Sequence, residues 1–173
     1  LTNDTRKRVV LGDVLEEFNK HRIEVLVTKG AQLGLEVYAD SYLRWMGDID
    51  LIVRPRDWQK ACDTLLKLGF YTSMNTNLSN DWALTHLDMH IDFFKDRMRI
   101  ELKSGAWPID FPYFDYNLWQ RARRAKLGDK EISYPSCEDT LLISCVNLAR
   151  HNFSGLIWFL DIKKIIDAFG GQI

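Results

Sequence analysis

The sequence predicts an α/β (α+β) protein, and three observations support this fold class. A strand, a Lys-Gly turn and a helix are followed by a second strand and a second helix. A segment in which apolar and polar residues alternate cleanly comes next, between residues 84 and 103, and predicts a β-hairpin. Two amphipathic segments close the chain and predict a C-terminal helical hairpin.

The first elements are a helix, a strand and a second helix. Apolar residues recur at roughly helical spacing from Thr5 to His21, which predicts a helix packed on the sheet. Residues Glu24–Thr28 predict a short strand, and Lys29-Gly30 then opens a helix from Ala31 to about Tyr38. Glycine lets the backbone approach a phosphate closely, and a helix N-terminus offers free N–H groups. Lys29 and Gly30 are therefore candidate phosphate-binding residues.

The stretch from Gly47 to Val53 carries two carboxylates on a predicted buried strand. Side chains alternate between the two faces of a strand, so Asp48 and Asp50 project together from one face. Two carboxylates this close repel each other and need a cation or a hydrogen-bond network. Oxygen ligands favour Mg²⁺ or Mn²⁺ as that cation. The alternative interpretation is a solvated strand edge.

A helix and the predicted hairpin follow. Arg54-Pro55 ends the strand, and residues Asp57–Leu68 have helical spacing before Gly69 stops the helix. In the hairpin from Leu84 to Lys103, a two-residue turn is expected at Lys95-Asp96. This turn predicts three cross-strand pairs: Asp92 with Arg99, His90 with Glu101, and Asp88 with Lys103.

Glu101 lies at the centre of the polar face of this hairpin, and two interpretations are open. It belongs either to a set of cross-strand charge pairs on a solvated surface, or to a carboxylate triad with Asp48 and Asp50. In the second case Glu101 acts as a metal ligand or as a general base toward an acceptor hydroxyl. Asp92 is the rival third carboxylate.

The last third of the chain predicts a helix that ends in a basic run, one short strand and two further helices. The basic run Arg121–Lys126 is expected at the C-terminal end of a helix that begins near Asp115 or Tyr116. The remaining predictions are a Gly128-Asp129 turn, a strand over Glu131–Tyr134, and helices over Cys137–Asn152 and Gly155–Phe169. His151 and Asp161 invite a catalytic interpretation, but we expect a helix-terminal role for His151 and capping or ion pairing for Asp161. The predicted division is a catalytic core over residues 1–134 and a helical segment over 135–173, in a chain that is expected to be a fragment.

The composition narrows the class of protein. The chain has 173 residues, of which 46% are hydrophobic and 27% charged, so it can bury a core while keeping a charged surface. No apolar run reaches the ~20 residues that cross a bilayer, so no membrane partner is expected. Three cysteines without close metal-ligand spacing, and no leader-like N-terminus, predict reduced thiols and a cytoplasmic location. A net charge of −1 argues against extended nucleic-acid binding.

Several segments together resemble a known superfamily. They are Thr28-Lys29-Gly30-Ala31, the run from Arg44 to Val53 with Gly47-Asp48-Ile49-Asp50 at its centre, Leu66 to Phe70, Ile100-Glu101-Leu102, and the segment from Glu138 to Asp161. In these the sequence is similar to the DNA polymerase β-type nucleotidyltransferases, and closest to their bacterial branch of poorly characterised members. It departs from the superfamily pattern at Ala31, where a serine is common, and at Lys103, where a histidine is often found.

The resemblance implies a polymerase-β-like fold, with a mixed sheet flanked by helices, and an enzyme that moves an NMP from an NTP to an acceptor hydroxyl with release of pyrophosphate. It implies that Asp48, Asp50 and Glu101 bind Mg²⁺ (or Mn²⁺), and that Lys29 and Gly30 hold the phosphates. Arg44 and Gly47 are further phosphate-binding candidates. The acceptor is open between a small molecule, a protein and RNA. The alternatives are a non-catalytic nucleotide-binding or protein-interaction domain, and a metal-dependent phosphohydrolase.

Overall fold

The structure is a computed structural model that describes residues 3–74, 76, 90–105 and 117–173, the side chains of residues 3 and 4 excepted. Its helices are α1 (Asn3–Lys20), α2 (Lys29–Glu36), α3 (Trp58–Lys67), α4 (Cys137–Arg150) and α5 (Leu156–Phe169). Its strands are β1 (Val25–Thr28), β2 (Ile49–Val53), β3 (His90–Lys95), β4 (Met98–Lys103), β5 (Arg123–Leu127) and β6 (Lys130–Tyr134).

The predicted α/β fold with a mixed sheet is confirmed. Four strands form one sheet in the order β1-β2-β4-β3, and β5 and β6 form a separate pair. Strand β2 is antiparallel to β1 and parallel to β4, while β3 and β4 form an antiparallel hairpin. Strand β2 is therefore central, and all five of its residues are buried.

The two faces of β2 pack into two different hydrophobic clusters, as the alternation of its side chains requires. On one face, Ile49, Leu51 and Val53 join the main core, to which α1 and α3 contribute Leu11, Val14, Leu15, Phe18, Trp58, Ala61 and Leu65. On the other face, Ile52 packs in a smaller cluster with Leu26, Leu118 and Ile143. Asp50 lies on this second face, two residues before Ile52.

The C-terminal helices have the predicted positions. Ser136 begins α4, because its Oγ accepts a hydrogen bond from the backbone N–H of Asp139 at 3.1 Å. Helices α4 and α5 pack against each other, and α4 also contacts α2.

The division of the chain at residue 134 stays a prediction. Within the described parts of the chain, the helices include none with both the length and the apolar content needed to span a bilayer.

The predicted register of the hairpin is wrong by two residues. The turn lies at Asp96-Arg97, between the paired residues Lys95 and Met98, and not at Lys95-Asp96. Asp96 has a φ of +53°, a left-handed conformation that aspartate tolerates better than most residues. Moving a turn by one residue shifts every pair by two, so each side chain keeps its face and gains a new partner. Asp88 and residues 84–89 lie outside the described residues.

The predicted helical end at Arg121–Lys126 is also wrong. A helical turn covers residues 117–120, and Arg123–Leu127 then forms β5, which pairs with β6 across the turn at Gly128. Gly128 has a φ of +65°, which suits a tight turn between two strands. Once β6 lies beside it, a strand accounts for the alternating pattern of this segment, and Arg124 and Lys126 occupy its exposed positions.

Candidate active site

Three carboxylates follow one line across the sheet. Asp50 of β2 is the register partner of Glu101 of β4, and Glu101 is in turn the partner of Asp92 of β3. Side chains of directly paired residues on neighbouring strands share a face of the sheet. The face that carries Asp50 therefore also carries Glu101 and Asp92.

An inner cluster of four charged residues forms at the centre of this face. The ammonium of Lys29 is ion-paired with Asp50 and lies 3.8 Å from Oε2 of Glu101. The ammonium of Lys103 lies 2.6 Å from Oε1 of Glu101. Asp50 is only 3% exposed, so its charge depends on Lys29 for compensation.

An outer cluster lies beside it. Arg99 of β4 forms an ion pair with Asp48, and its Nη1 lies 3.5 Å from Oδ2 of Asp92. Asp48 immediately precedes β2 and is more exposed than Asp50. One guanidinium thus faces two carboxylates, which leaves an excess of negative charge on this side of the site.

The ionisation of the inner cluster follows from burial and charge. Burial, with the charges of Asp48 and Glu101, raises the pKa of Asp50 to about 6 despite the opposing ammonium of Lys29. Burial alone would raise the pKa of Glu101, but Lys29 and Lys103 outweigh it and hold that pKa below its usual value. Burial alone would lower the pKa of Lys29, but the carboxylates outweigh it and raise that pKa. At neutral pH, Lys29 is protonated and Glu101 ionised.

The backbone at Lys29 brings its side chain to the carboxylates. Lys29 is the first residue of α2, directly after β1, and has a φ of +52°. A left-handed conformation in a non-glycine residue is held only by its surroundings, and such residues are frequent at functional sites. The predicted Lys-Gly turn is thus present, but the unusual φ belongs to the lysine.

Gly30 has a packing role that sequence reasoning missed. A Cβ atom at this position would lie 3.3 Å from Nη1 of Arg44, so the guanidinium of Arg44 rests against the backbone of the turn. Arg44 is 8% exposed and forms a two-point ion pair with Asp161 of α5. Arg44 therefore lies between the Lys29-Gly30 turn and α5.

Lys7 of α1 is a second residue that sequence reasoning missed. Its side chain is buried, and its ammonium donates hydrogen bonds to the backbone carbonyls of Met46 and Gly47, the second at 3.0 Å. It thereby fixes the segment that leads into Asp48. Lys7 lies between Arg6 and Arg8 in the sequence, so the pattern of the helix did not distinguish it from an exposed basic residue.

The donor chemistry of the site fits a hard divalent cation. Carboxylate oxygens are the ligands that Mg²⁺ and Mn²⁺ prefer, and Oδ1 of Asp92 is a buried acceptor with no hydrogen-bond partner among the described residues. In that part of the chain, no three His, Cys, Asp or Glu side chains are arranged to hold a metal ion. The ammonium of Lys29 stands between Asp50 and Glu101 instead. Metal binding by Asp48, Asp50 and Glu101 stays a prediction.

Two residues that invited a catalytic interpretation have structural partners. His151 stacks on Trp158 with ring centroids 4.0 Å apart, at the end of α4. Asp161 is ion-paired, as predicted.

Comparison with known proteins identifies a family that covers nearly the whole chain. The family model of uncharacterised nucleotidyltransferases matches residues 2–173. No curated protein matches the sequence.

Several solved structures share the fold. The antibiotic-resistance factor ANT(2'')-Ia is 11% identical, with a TM-score of 0.70 over 98% of this chain and 87% of its own. An antigenic nucleotidyltransferase-like protein from Paracoccidioides brasiliensis is 16% identical, with a TM-score of 0.59 over 100% of this chain and 79% of its own. The lincosamide antibiotic adenylyltransferase LnuA is 16% identical, with a TM-score of 0.55 over 90% of this chain and 93% of its own.

Proposed function

Because the chain belongs to the family of uncharacterised nucleotidyltransferases and is therefore an enzyme, we propose that it transfers an NMP from an NTP to an acceptor hydroxyl and releases pyrophosphate. The observation that carries the proposal is the direct register pairing of Asp50 with Glu101, with Lys29 ion-paired between them. Carboxylates and an ammonium on one face supply the charges that a metal-bound triphosphate requires.

The residues that would bind a metal ion are Asp48, Asp50 and Glu101, and Asp92 is the alternative third carboxylate. A bound Mg²⁺ or Mn²⁺ would neutralise charge on the phosphates as the acceptor attacks. Asp50 is suited to this role because its buried charge is costly without a cation. Glu101, paired with Asp50 on the neighbouring strand, would act as a metal ligand or as the general base toward the acceptor hydroxyl.

Lys29 and the N-terminus of α2 would hold the β- and γ-phosphates. A helix N-terminus directs N–H groups and a positive dipole end toward an anion, and Lys29 adds a full positive charge at the same end. Gly47, which precedes the carboxylate pair, is a further candidate for phosphate binding, and a Cβ atom there would lie 3.7 Å from the ring of Trp45. The preferred nucleotide base is found by testing each NTP, and the acceptor by testing small molecules, proteins and RNA.

The first experiment is calorimetric titration of each NTP with and without Mg²⁺ or Mn²⁺. We expect metal-dependent binding by the native chain, and a loss of about 100-fold or more when Asp50→Asn removes a buried charge from the site. Asp167→Asn, the same substitution at an exposed position of α5, is the control and should bind as the native chain does.

A product assay then separates the possible activities. Release of pyrophosphate with an acceptor supports nucleotidyl transfer, while inorganic phosphate without an acceptor indicates a phosphohydrolase. Binding without any product would indicate a non-catalytic nucleotide-binding domain, and binding that is indifferent to Asp50 would place the site elsewhere.

A further inference from the structure

We propose that Asp161 of α5 is a positioning residue of the active site, which holds Arg44 against the Lys29-Gly30 turn and so sets the geometry of triphosphate binding. This inference rests on the proposed function and deepens it, because it connects the C-terminal helices to the phosphate-binding end of the site.

The anchor is a buried, two-point ion pair. Nε of Arg44 lies 2.8 Å from Oδ1 of Asp161, and Nη2 lies 2.8 Å from Oδ2. The hydroxyl of Tyr38 also donates to Oδ1 of Asp161, at 2.7 Å. Such a paired arrangement fixes the guanidinium in both position and orientation.

The opposite side of Arg44 packs on α2. The guanidinium covers the backbone of Gly30, where a Cβ atom would lie 3.3 Å from Nη1 and 3.5 Å from Cζ. One turn later, a Cβ atom at Gly34 would lie 3.5 Å from Cβ of Arg44. Two glycines spaced by four residues thus form a flat surface on α2 that receives Arg44.

The turn that Arg44 supports carries the proposed phosphate ligand. Lys29 directly precedes Gly30, and its left-handed backbone depends on its surroundings. Lys29 and Arg44 line a cavity no larger than one water molecule, together with Asp161, Ser144 and Asn147. Residues of helices α4 and α5 therefore lie next to the turn. A shift of Arg44 would move the backbone of Gly30, which is the neighbour of Lys29.

The test compares two isosteric substitutions that each break a two-point Arg–Asp pair. Asp161→Asn breaks the pair with Arg44, and Asp139→Asn breaks a similar pair with Arg121 at the start of α4. For each variant, the dissociation constants of the tightest-binding NTP and of its NMP are measured in Mg²⁺ by calorimetry and competition. Circular dichroism checks that each variant is folded.

We expect Asp161→Asn to weaken NTP binding about tenfold or more while NMP binding changes by less than about twofold, because only the NTP has the phosphates that Lys29 would hold. Asp139→Asn should leave both constants within about twofold of the native values. If Asp161→Asn does not fold, Arg44→Lys keeps the charge without the fork and should show the same selective loss.

Two results would overturn the inference: unchanged NTP affinity in Asp161→Asn, or an equal loss for NTP and NMP that Asp139→Asn shares. If the native chain binds no NTP at all, the proposed function fails and the inference fails with it. If the native chain binds NTP and Asp50→Asn abolishes binding, but Asp161→Asn has no effect, only the inference fails.

Discussion

At the scale of single residues, the position of Lys29 determines how the carboxylates are neutralised. Its ammonium contacts Asp50 and approaches Glu101. A metal ion bound at the same place would also be attracted most strongly, because both carboxylates are within reach. A fixed positive charge and a soluble cation compete for the same oxygens. Lys29 is therefore an internal counter-ion of these carboxylates, and we expect it to become available to phosphates only when a metal ion neutralises them.

Lys29→Met separates these two roles. Without nucleotide, we expect the affinity for Mn²⁺ to rise about tenfold, because the substitution removes a competing charge that contacts Asp50 and lies 3.8 Å from Glu101. The affinity for metal-bound NTP should fall, because the phosphates lose a ligand. Mn²⁺ binding followed by electron paramagnetic resonance, and NTP binding by calorimetry, measure the two effects.

Lys163→Met is the matched control, since Lys163 lies on the exposed surface of α5. It should change neither affinity. A fall in Mn²⁺ affinity on Lys29→Met would show that Lys29 supports the metal site and does not compete with it.

Much of the site could be predicted from individual residues. The alternation of the Asp48–Val53 stretch placed Asp50 on a buried face, and the polar face of the hairpin placed Glu101 and Asp92 together. The residue that lies opposite Glu101, predicted as His90 and found to be Asp92, depends on a one-residue choice of turn, which the alternating pattern does not determine. The burial of Arg44 could not be predicted from the sequence, because its partner Asp161 is more than one hundred residues away along the chain.

At the scale of elements, helix ends were predictable where one residue controls the backbone. Gly69 ends α3 with a φ of +85°, and a Cβ atom there would meet nothing closer than 3.7 Å. The cost of a side chain at this position is therefore conformational and not steric. The β5 strand shows the converse, because its pairing with β6 overrides a helical interpretation of the basic run.

Gly69→Ala should lower the free energy of unfolding by about 1 kcal/mol, because alanine disfavours the left-handed conformation that ends α3. Urea denaturation followed by circular dichroism measures the change. Gly171→Ala is the control, since a Cβ atom there has no neighbour within 4 Å and no positive φ is required. Equal stability of the two variants would mean that α3 ends without help from Gly69.

At the scale of the whole molecule, the proposed ligand should stabilise the native fold. Asp50 and Glu101 come from different strands, so the unfolded chain cannot offer both to one ligand. A ligand at one hundred times its dissociation constant adds about 2.7 kcal/mol, which corresponds to a rise in Tm of roughly 5 to 10 °C for a chain of this size. Differential scanning calorimetry with saturating NTP and Mg²⁺ measures the rise.

The rise in Tm should disappear in Asp50→Asn and when a chelator removes the metal. A rise that persists in Asp50→Asn would indicate that the nucleotide binds elsewhere on the protein. Metal without nucleotide should give a smaller rise, because Lys29 already neutralises part of the carboxylate charge.

The parallel contact between β2 and β4 also determines the order in which the molecule can fold. No tight turn can join parallel strands, so the chain from Val53 to Met98, which includes α3 and β3, must be brought back before Asp50 meets Glu101. Contacts between residues distant in sequence form slowly, because loop closure costs entropy before the contact is made. The helices and the β3–β4 hairpin can form early from local contacts, whereas Asp50 and Glu101 come together only when β2 pairs with β4.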